Sequence, residues 1–364
     1  MTSDPEKPLD DYEDGVLPPS VYDAPQTPEE ELWFLPGPPE DFAPGDSPLL
    51  FANRSHLQGA LNWDTAERSQ YRALVSAAEA VARFGARMAA LPPDVMERIA
   101  LQTVSAVLRA EGVWLNPEHI ALFRALRASS QDQTRDLERA SWAVRRLIAL
   151  RHGGVLDEGL HAFLGRRKQR DASELLGDDQ PMGAELDEMG EEWRRKIQEA
   201  GDLHRLTRAA CGLFLWRRLE ITPIDAALEP MIAAGLLGAG DSAPFLPLPE
   251  GMPQIYAHAK DPAEALGRFY ATVEQGALAA MLEMDRLVNW RKKAQGVTSD
   301  LSGKTPRSVI DTALRFPVFS AELAARMAQS SNMSARRSLN LLQDRGLLKE
   351  VTGQQRYRFW AARL

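Results

Sequence analysis

Between residues 70 and 293 apolar side chains return every three or four positions, the spacing of helices that each bury one stripe. Tyr71, Leu74, Val75, Ala78 and Val81 fall on one such stripe, which Pro92-Pro93 ends. A second helix runs through Val95, Ile99, Val104 and Leu108 to Gly112. Asn116-Pro117-Glu118 then reads as a cap, a proline at the first helical position and an acidic first turn. Asp132 to Arg151 forms a further helix with Leu137, Trp142, Leu147 and Ile148, stopped by Gly153-Gly154. Trp193 to Leu219 is helical again. Pro262 to Lys293 reads as a long helix, with Leu266, Phe269, Val273, Leu278 and Leu282 inward. Strand-like alternation is scarce before residue 345, so the expected fold is mainly α.

The pattern changes character after residue 304. Thr305-Pro306 reads as a cap with proline at the first helical position, opening a helix that buries Val309, Ile310, Ala313 and Leu314. Phe316-Pro317 stops it. Ser320 caps a short second helix carrying Leu323, Ala324 and Met327, and Gln329 to Met333 is a polar turn. Ser334 is expected to cap a third helix with Leu339 and Leu342 inward, ended by Arg345-Gly346. Two short helices joined by a tight turn predict a helix-turn-helix whose second member enters the DNA major groove. That helix would present Ser334, Arg336, Arg337 and Asn340. Arginine can donate twice to guanine, asparagine can pair with adenine, and serine at a helix N-terminus suits a phosphate. Beyond it, Glu350-Val351, the turn Thr352-Gly353-Gln354-Gln355 and Arg356 to Trp360 predict a hairpin wing. Alternation puts Tyr357 and Phe359 on its inner face, Arg356 and Arg358 on its outer face, and Gln354 and Gln355 at the tip. The expected fold class is thus a multi-helix body with a C-terminal winged helix-turn-helix domain.

Charge sharpens this division. The chain of 364 residues has a net charge of -8, but residues 1–50 hold one lysine against thirteen acidic residues and eleven of the 24 prolines. Such a segment reads as a solvated acidic tail, and Leu32-Trp33-Phe34-Leu35 within it as a short docking motif for the body or a protein partner. Residues 304–364 hold eleven basic and four acidic residues, a balance that fits a polyanion. The expected division is therefore an acidic tail at 1–50, an N-terminal helical domain at 51–165 and a charged linker at 166–192. A second helical region at 193–294, a linker at 295–304 and the winged helix-turn-helix at 305–364 complete it.

The chain also resembles a family of uncharacterised, mostly alphaproteobacterial, often plasmid-borne proteins. The stretches that carry the resemblance are Arg315 to Ala321, Met333 to Arg337 and Leu347 to Trp360, where the family's wing reads approximately Arg-Glu-X-Thr-Gly-X-X-Arg-Tyr-Arg-X-Trp. Glu111 to Leu115, Arg145-Arg146-Leu147 and Glu283 to Leu287 are similar upstream. The similarity runs from about residue 50 to the end; the acidic tail and the stretch 239–253 depart from it. It implies a helical domain of unknown function joined to a C-terminal helix-turn-helix, and hence DNA binding.

Enzyme chemistry finds little footing. The architecture is similar to that of Fic-type proteins, whose active loop reads His-Pro-Phe-X-(Asp/Glu)-Gly-Asn-Gly-Arg. The nearest stretch, His161-Ala162-Phe163-Leu164-Gly165-Arg166-Arg167, lacks the carboxylate, the asparagine and the anion-cradling glycine spacing. Gly235 to Gly240 reads as a helix end rather than a phosphate loop. Six histidines are scattered without metal-ligand spacing, so neither a metal nor a cofactor is expected. The single cysteine, Cys211, lies in an apolar run, excludes an internal disulfide and fits a reducing compartment. No apolar run approaches the roughly 20 residues that span a bilayer, so a cytoplasmic location is expected. The leading expectation is a non-enzymatic, sequence-specific DNA-binding protein that regulates transcription. Its partners would be double-stranded DNA, a second copy through the long 262–293 helix and a protein for the acidic tail. The alternatives are an adaptor or antitoxin-like protein and a divergent Fic-like nucleotidyl-transferring enzyme.

Overall fold

The computed structural model describes residues 60–126, 133–149, 159–165, 181, 183–223, 225–240, 243–249, 261–353 and 357–364. The acidic tail 1–50, the basic run Arg166 to Arg170 and Gln354, Gln355 and Arg356 of the expected wing lie outside these. The elements in chain order are α1 (Ala60–Ser69), α2 (Tyr71–Ala89), α3 (Val95–Ala110), α4 (Pro117–Leu126), α5 (Thr134–Ile148) and α6 (Gly159–Leu164). They continue as α7 (Ala184–Glu199), α8 (Arg205–Arg218), α9 (Leu228–Leu237) and α10 (Pro262–Val297). The chain closes with α11 (Lys304–Arg315), β1 (Phe319–Ser320), α12 (Ala321–Ala328), α13 (Asn332–Asp344), β2 (Leu348–Glu350) and β3 (Phe359–Ala362). The protein is mainly helical, and no helix among the described residues is long and apolar enough to cross a membrane.

Helix α10 is the spine. Asp261 caps it by accepting from the Glu264 amide at 2.8 Å, with Pro262 in the first turn. Its 36 residues extend about 54 Å at 1.5 Å per residue. Ser76 donates to Glu274 and Arg87 to Asp285, both pairs 198 residues apart in sequence, so α2 and α10 run parallel. On α2 the buried stripe is Leu74, Ala77, Val81, Phe84 and Met88. Tyr71 and Val75, expected inward, are 65% and 43% exposed. A helix turns about 100° per residue, so Val75 cannot share the centre of a stripe that Leu74 already occupies. Leu278 and Leu282 of α10 are likewise exposed rather than inward.

The body has one core where two helical regions were expected. Trp142, Phe163, Trp216 and Trp193 form a chain of edge-on aromatic contacts, with centroids 5.4, 6.1 and 5.4 Å apart. This chain joins α5 and α6 to α7 and α8, across the expected boundary at 166–192. Each indole N–H has a partner: Trp193 donates to the Gly212 carbonyl at 2.8 Å and Trp216 to Thr222 at 3.0 Å. Helix α7 begins at Ala184, inside the stretch expected as linker. The stretch Trp193 to Leu219, expected to be helical, is covered by α7 and α8, which part at Gly201-Asp202. His204 caps α8, its Nδ1 accepting from the Leu206 amide at 3.2 Å. The proline-rich stretch 243–249 is irregular, yet it buries Phe245, Leu246 and Leu248. Gly276 of α10 makes room for it, since a Cβ there would lie 2.0 Å from the Pro247 carbonyl oxygen. Cys211 is buried in the same core, and burial pushes its thiol pKa up, away from reactivity.

A second core gathers Val309, Ile310, Ala313 and Leu314 of α11, Ala324 and Ala325 of α12, Leu339 and Leu342 of α13, and Phe319, Leu348 and Trp360 of the strands. Leu287, Trp290 and Ala294 of α10 belong to it too. The spine thus runs into the C-terminal module, and the stretch 295–304, expected as a free linker, begins as its last turn. Thr298 closes that turn by donating to the Ala294 carbonyl at 2.7 Å. Three strands form an antiparallel sheet in the order β1-β3-β2, with Phe319 opposite Trp360 and Leu348 opposite Ala362. Strand β1 was not expected from its two-residue length.

Arg98 of α3 fastens body to module. It is 8% exposed, and its Nε donates to the Leu314 carbonyl at 3.1 Å while Nη2 donates to the Phe316 carbonyl at 2.6 Å and to that of Ala313. These carbonyls end α11, where the last turn lacks helical partners and the helix dipole favours a cation. Burial pulls the Arg98 pKa down to about 10, against the opposing charges of Glu283, Glu118 and Glu97. The side chain still carries its charge at neutral pH.

Candidate nucleic-acid interface

Helix α13 divides cleanly. Ala335, Ser338, Leu339 and Leu342 are buried, and Met333, Arg336, Arg337 and Asn340 are exposed at the complementary positions. Three of the four α13 residues expected to read DNA therefore share one outward face. The fourth does not. Ser331 caps α13, accepting from the Ser334 amide at 3.2 Å, so the helix starts a turn earlier than expected. Ser334 is half-buried inside the first turn, its hydroxyl 3.4 Å from that of Thr305. Either serine satisfies the cap rule three residues before a free amide, and spacing alone could not choose between them. Thr305 is displaced in the same way: Gly303 occupies the cap position and α11 begins at Lys304. Ser320 does cap α12, accepting from the Leu323 amide at 3.2 Å. Gln329 then turns the chain toward α13 with φ of 48° in the left-handed region.

The hairpin differs more from expectation. Its second strand begins at Phe359, not Arg356, and Trp360, Ala361 and Ala362 are buried. Tyr357, expected on the inner face, is 79% exposed and has φ of 57°. Arg358, expected on the outer face, lies back over the Trp360 ring at 4.9 Å and 3.9 Å from Glu350. Glu350 in turn accepts from the Thr352 and Gly353 amides, both at 2.9 Å, and from the Thr352 hydroxyl. Desolvation opposes ionisation here, yet these donors and Arg358 hold its pKa below the usual carboxylate range. The hairpin root is thus a closed polar cluster.

Cations sort by side. Arg345 donates twice to Asp300 and once to the Val297 carbonyl, Lys349 pairs with Glu118 at 2.6 Å, and Arg315 lies 3.9 Å from Asp94. All three point toward the body or the end of α10. On the other side, no carboxylate among the described residues lies within 4.0 Å of Arg336, Arg337, Lys304 or Arg307. The Ser334–Thr305 contact brings the N-terminal turns of α11 and α13 together, so Lys304 and Arg307 extend the face that Arg336 and Arg337 begin. Sequence reading missed these two and Met333. Only the segment's positive balance pointed to the two cations, and nothing pointed to Met333.

His161 is tied down elsewhere. Its Nε2 lies 3.0 Å from the Gly183 carbonyl and 3.3 Å from Asp187, across from α7. Among the described residues no group of three His, Cys, Asp or Glu side chains is arranged to hold a metal ion. No family model matches the chain, and no curated protein matches it either.

Proposed function

We propose that the protein is a sequence-specific DNA-binding regulator that works through residues 304–364 as a winged helix-turn-helix. The order α11-β1-α12-α13-β2-β3, with its small antiparallel sheet, supports that assignment of fold class. The observation that carries the function is that Arg336 and Arg337, beside Asn340 on an exposed helix face, have no carboxylate partner among the described residues, Arg337 donating only to the Met333 sulfur at 3.6 Å, while Arg345 and Lys349 of the same segment are ion-paired. Guanidinium groups without carboxylate partners on an exposed helix face suit guanine edges and phosphates.

A homodimer belongs to the same proposal. Leu278 and Leu282 stand exposed one turn apart on α10, where a second copy would cover them and where two modules could meet two half-sites. Light scattering of wild type against Leu282→Glu checks this, with a monomeric wild type as the refuting result.

The deciding experiment is fluorescence anisotropy of the full chain with a labelled random duplex across a salt series. Binding that weakens steeply with salt, and that the Arg336→Ala/Arg337→Ala double variant loses, is the expected result. No binding by the wild type at low salt would remove the DNA reading.

A further inference from the structure

Where the body meets the C-terminal module, α3 and α4 on one side and β2 and β3 on the other enclose a cavity of about 370 Å³. That is near the lower end of the volumes that hold small molecules, roughly 300–1,000 Å³. Its wall is apolar at Leu101, Pro317 and Ala361, polar at Gln102, and charged at Arg98 and Lys349 and at the carboxylates Glu118 and Glu283.

The charges around it are unevenly satisfied. Lys349 is neutralised by Glu118, Glu97 by Arg124 at 3.0 Å, and Glu283 faces Arg286 at 3.6 Å. Arg98 has no carboxylate within 4.0 Å among the described residues. Its three hydrogen bonds use Nε and Nη2 on backbone carbonyls, and Nη1 takes part in none of them. A buried guanidinium whose direct contacts are carbonyl oxygens leaves its Nη1 edge unused, with Glu283, Glu118 and Glu97 acting on its charge only from beyond 4.0 Å and each engaged with another cation. A carboxylate entering the cavity would supply a counter-ion in direct contact, in the planar geometry a guanidinium fits best.

We infer that this cavity binds a small organic carboxylate with a short apolar body, its charged end on Arg98 and its tail against Leu101, Pro317 and Ala361. Such a ligand touches α3, the end of α11 and β3 together, so it binds only the arrangement in which module and body are docked. It therefore stabilises that docked arrangement by mass action. The binding site stands without the DNA reading. On that reading, which this consequence alone rests on, the ligand is an effector that sets how firmly the reading face is held.

Calorimetric titration of the full chain with sodium butyrate and sodium hexanoate, against butanol and hexanol as uncharged controls, needs no DNA and so fails independently of the DNA proposal. The expected result is saturable binding of one carboxylate per chain, with the matching alcohol at least about tenfold weaker. Gln102→Phe fills the cavity from its half-exposed rim without touching Arg98, and Lys349→Met alters the opposite wall. Loss of binding in folded Gln102→Phe, with a change of affinity in Lys349→Met, supports the site. No saturable heat with either carboxylate up to about 10 mM overturns it. So does carboxylate binding that Gln102→Phe leaves unchanged, or alcohols that bind as well as the acids.

Discussion

The two sides of the C-terminal module use the same residue type in opposite ways. On the side facing the body, Arg98 and Arg345 spend their donors on helix-end carbonyls and on Asp300, and Lys349 spends its charge on Glu118. On the far side, Arg336 and Arg337 stand exposed with no carboxylate in reach. The difference separates the cations that hold the module from those that no carboxylate of the described residues engages.

The comparison breaks first, and most heavily, at Arg98. Replacing it with methionine removes the donors to Ala313, Leu314 and Phe316 and leaves the end of α11 without partners in a buried place. Breaking charged hydrogen bonds while stranding buried acceptors costs about 3 kcal/mol. Urea unfolding monitored by far-ultraviolet circular dichroism is expected to show that loss. A loss under about 1 kcal/mol would mean that the carbonyls find other donors. Gly276→Ala tests the body core alone, because its Cβ has no space before the Pro247 carbonyl. Overpacking of this kind costs about 1–3 kcal/mol, and the same unfolding experiment reads it.

On the outer face the signs reverse. Arg336→Ala is expected to leave the unfolding midpoint nearly unchanged and to weaken DNA binding by roughly 1–3 kcal/mol. Arg358→Ala is expected to weaken it less, because Arg358 lies over Trp360 beside Glu350. Anisotropy titrations at two salt concentrations compare them. If Arg358→Ala proves the more damaging, the hairpin and not α13 is the principal contact.

These assignments also show what was legible in the chain. The exposed face at Arg336, Arg337 and Asn340 followed from helical spacing because Leu339 and Leu342 fix the rotation of α13. The cap at Ser331 was lost to Ser334, since two serines three apart obey the same local rule and only the position of Ala335 in the core decides. The direction of Arg358 was not legible at all. Alternation puts it outside, but it depends on a strand that starts at Phe359 and on a ring and a carboxylate brought there by pairing with β2. The linker at 295–304 misled for a related reason. Gly, Ser and Thr read as a tether, while Thr298 uses its hydroxyl to close the last turn of α10 and Arg345 reaches back to Asp300.

The smallest expected effect lies in the body, and it is a pH effect. His204 caps α8 through Nδ1, which accepts from the Leu206 amide and can do so only when unprotonated. Burial, with Arg205 and Arg208 nearby, lowers its pKa below the ordinary value of 6.5 despite the opposing charge of Glu67. The unfolded chain therefore binds the proton more readily than the folded one, so stability rises with pH across this window. The contribution is complete above about pH 6.5 and is lost as pH falls through the folded-state pKa. His204→Asn keeps a side-chain acceptor at the cap without a titrating ring. Unfolding midpoints of the two proteins should therefore run together above neutrality and separate on acidification, the wild type falling faster. Parallel curves throughout would mean that the carboxylate of Glu67, which also accepts from the His204 amide at 3.0 Å, holds the start of α8 whether or not the imidazole is charged.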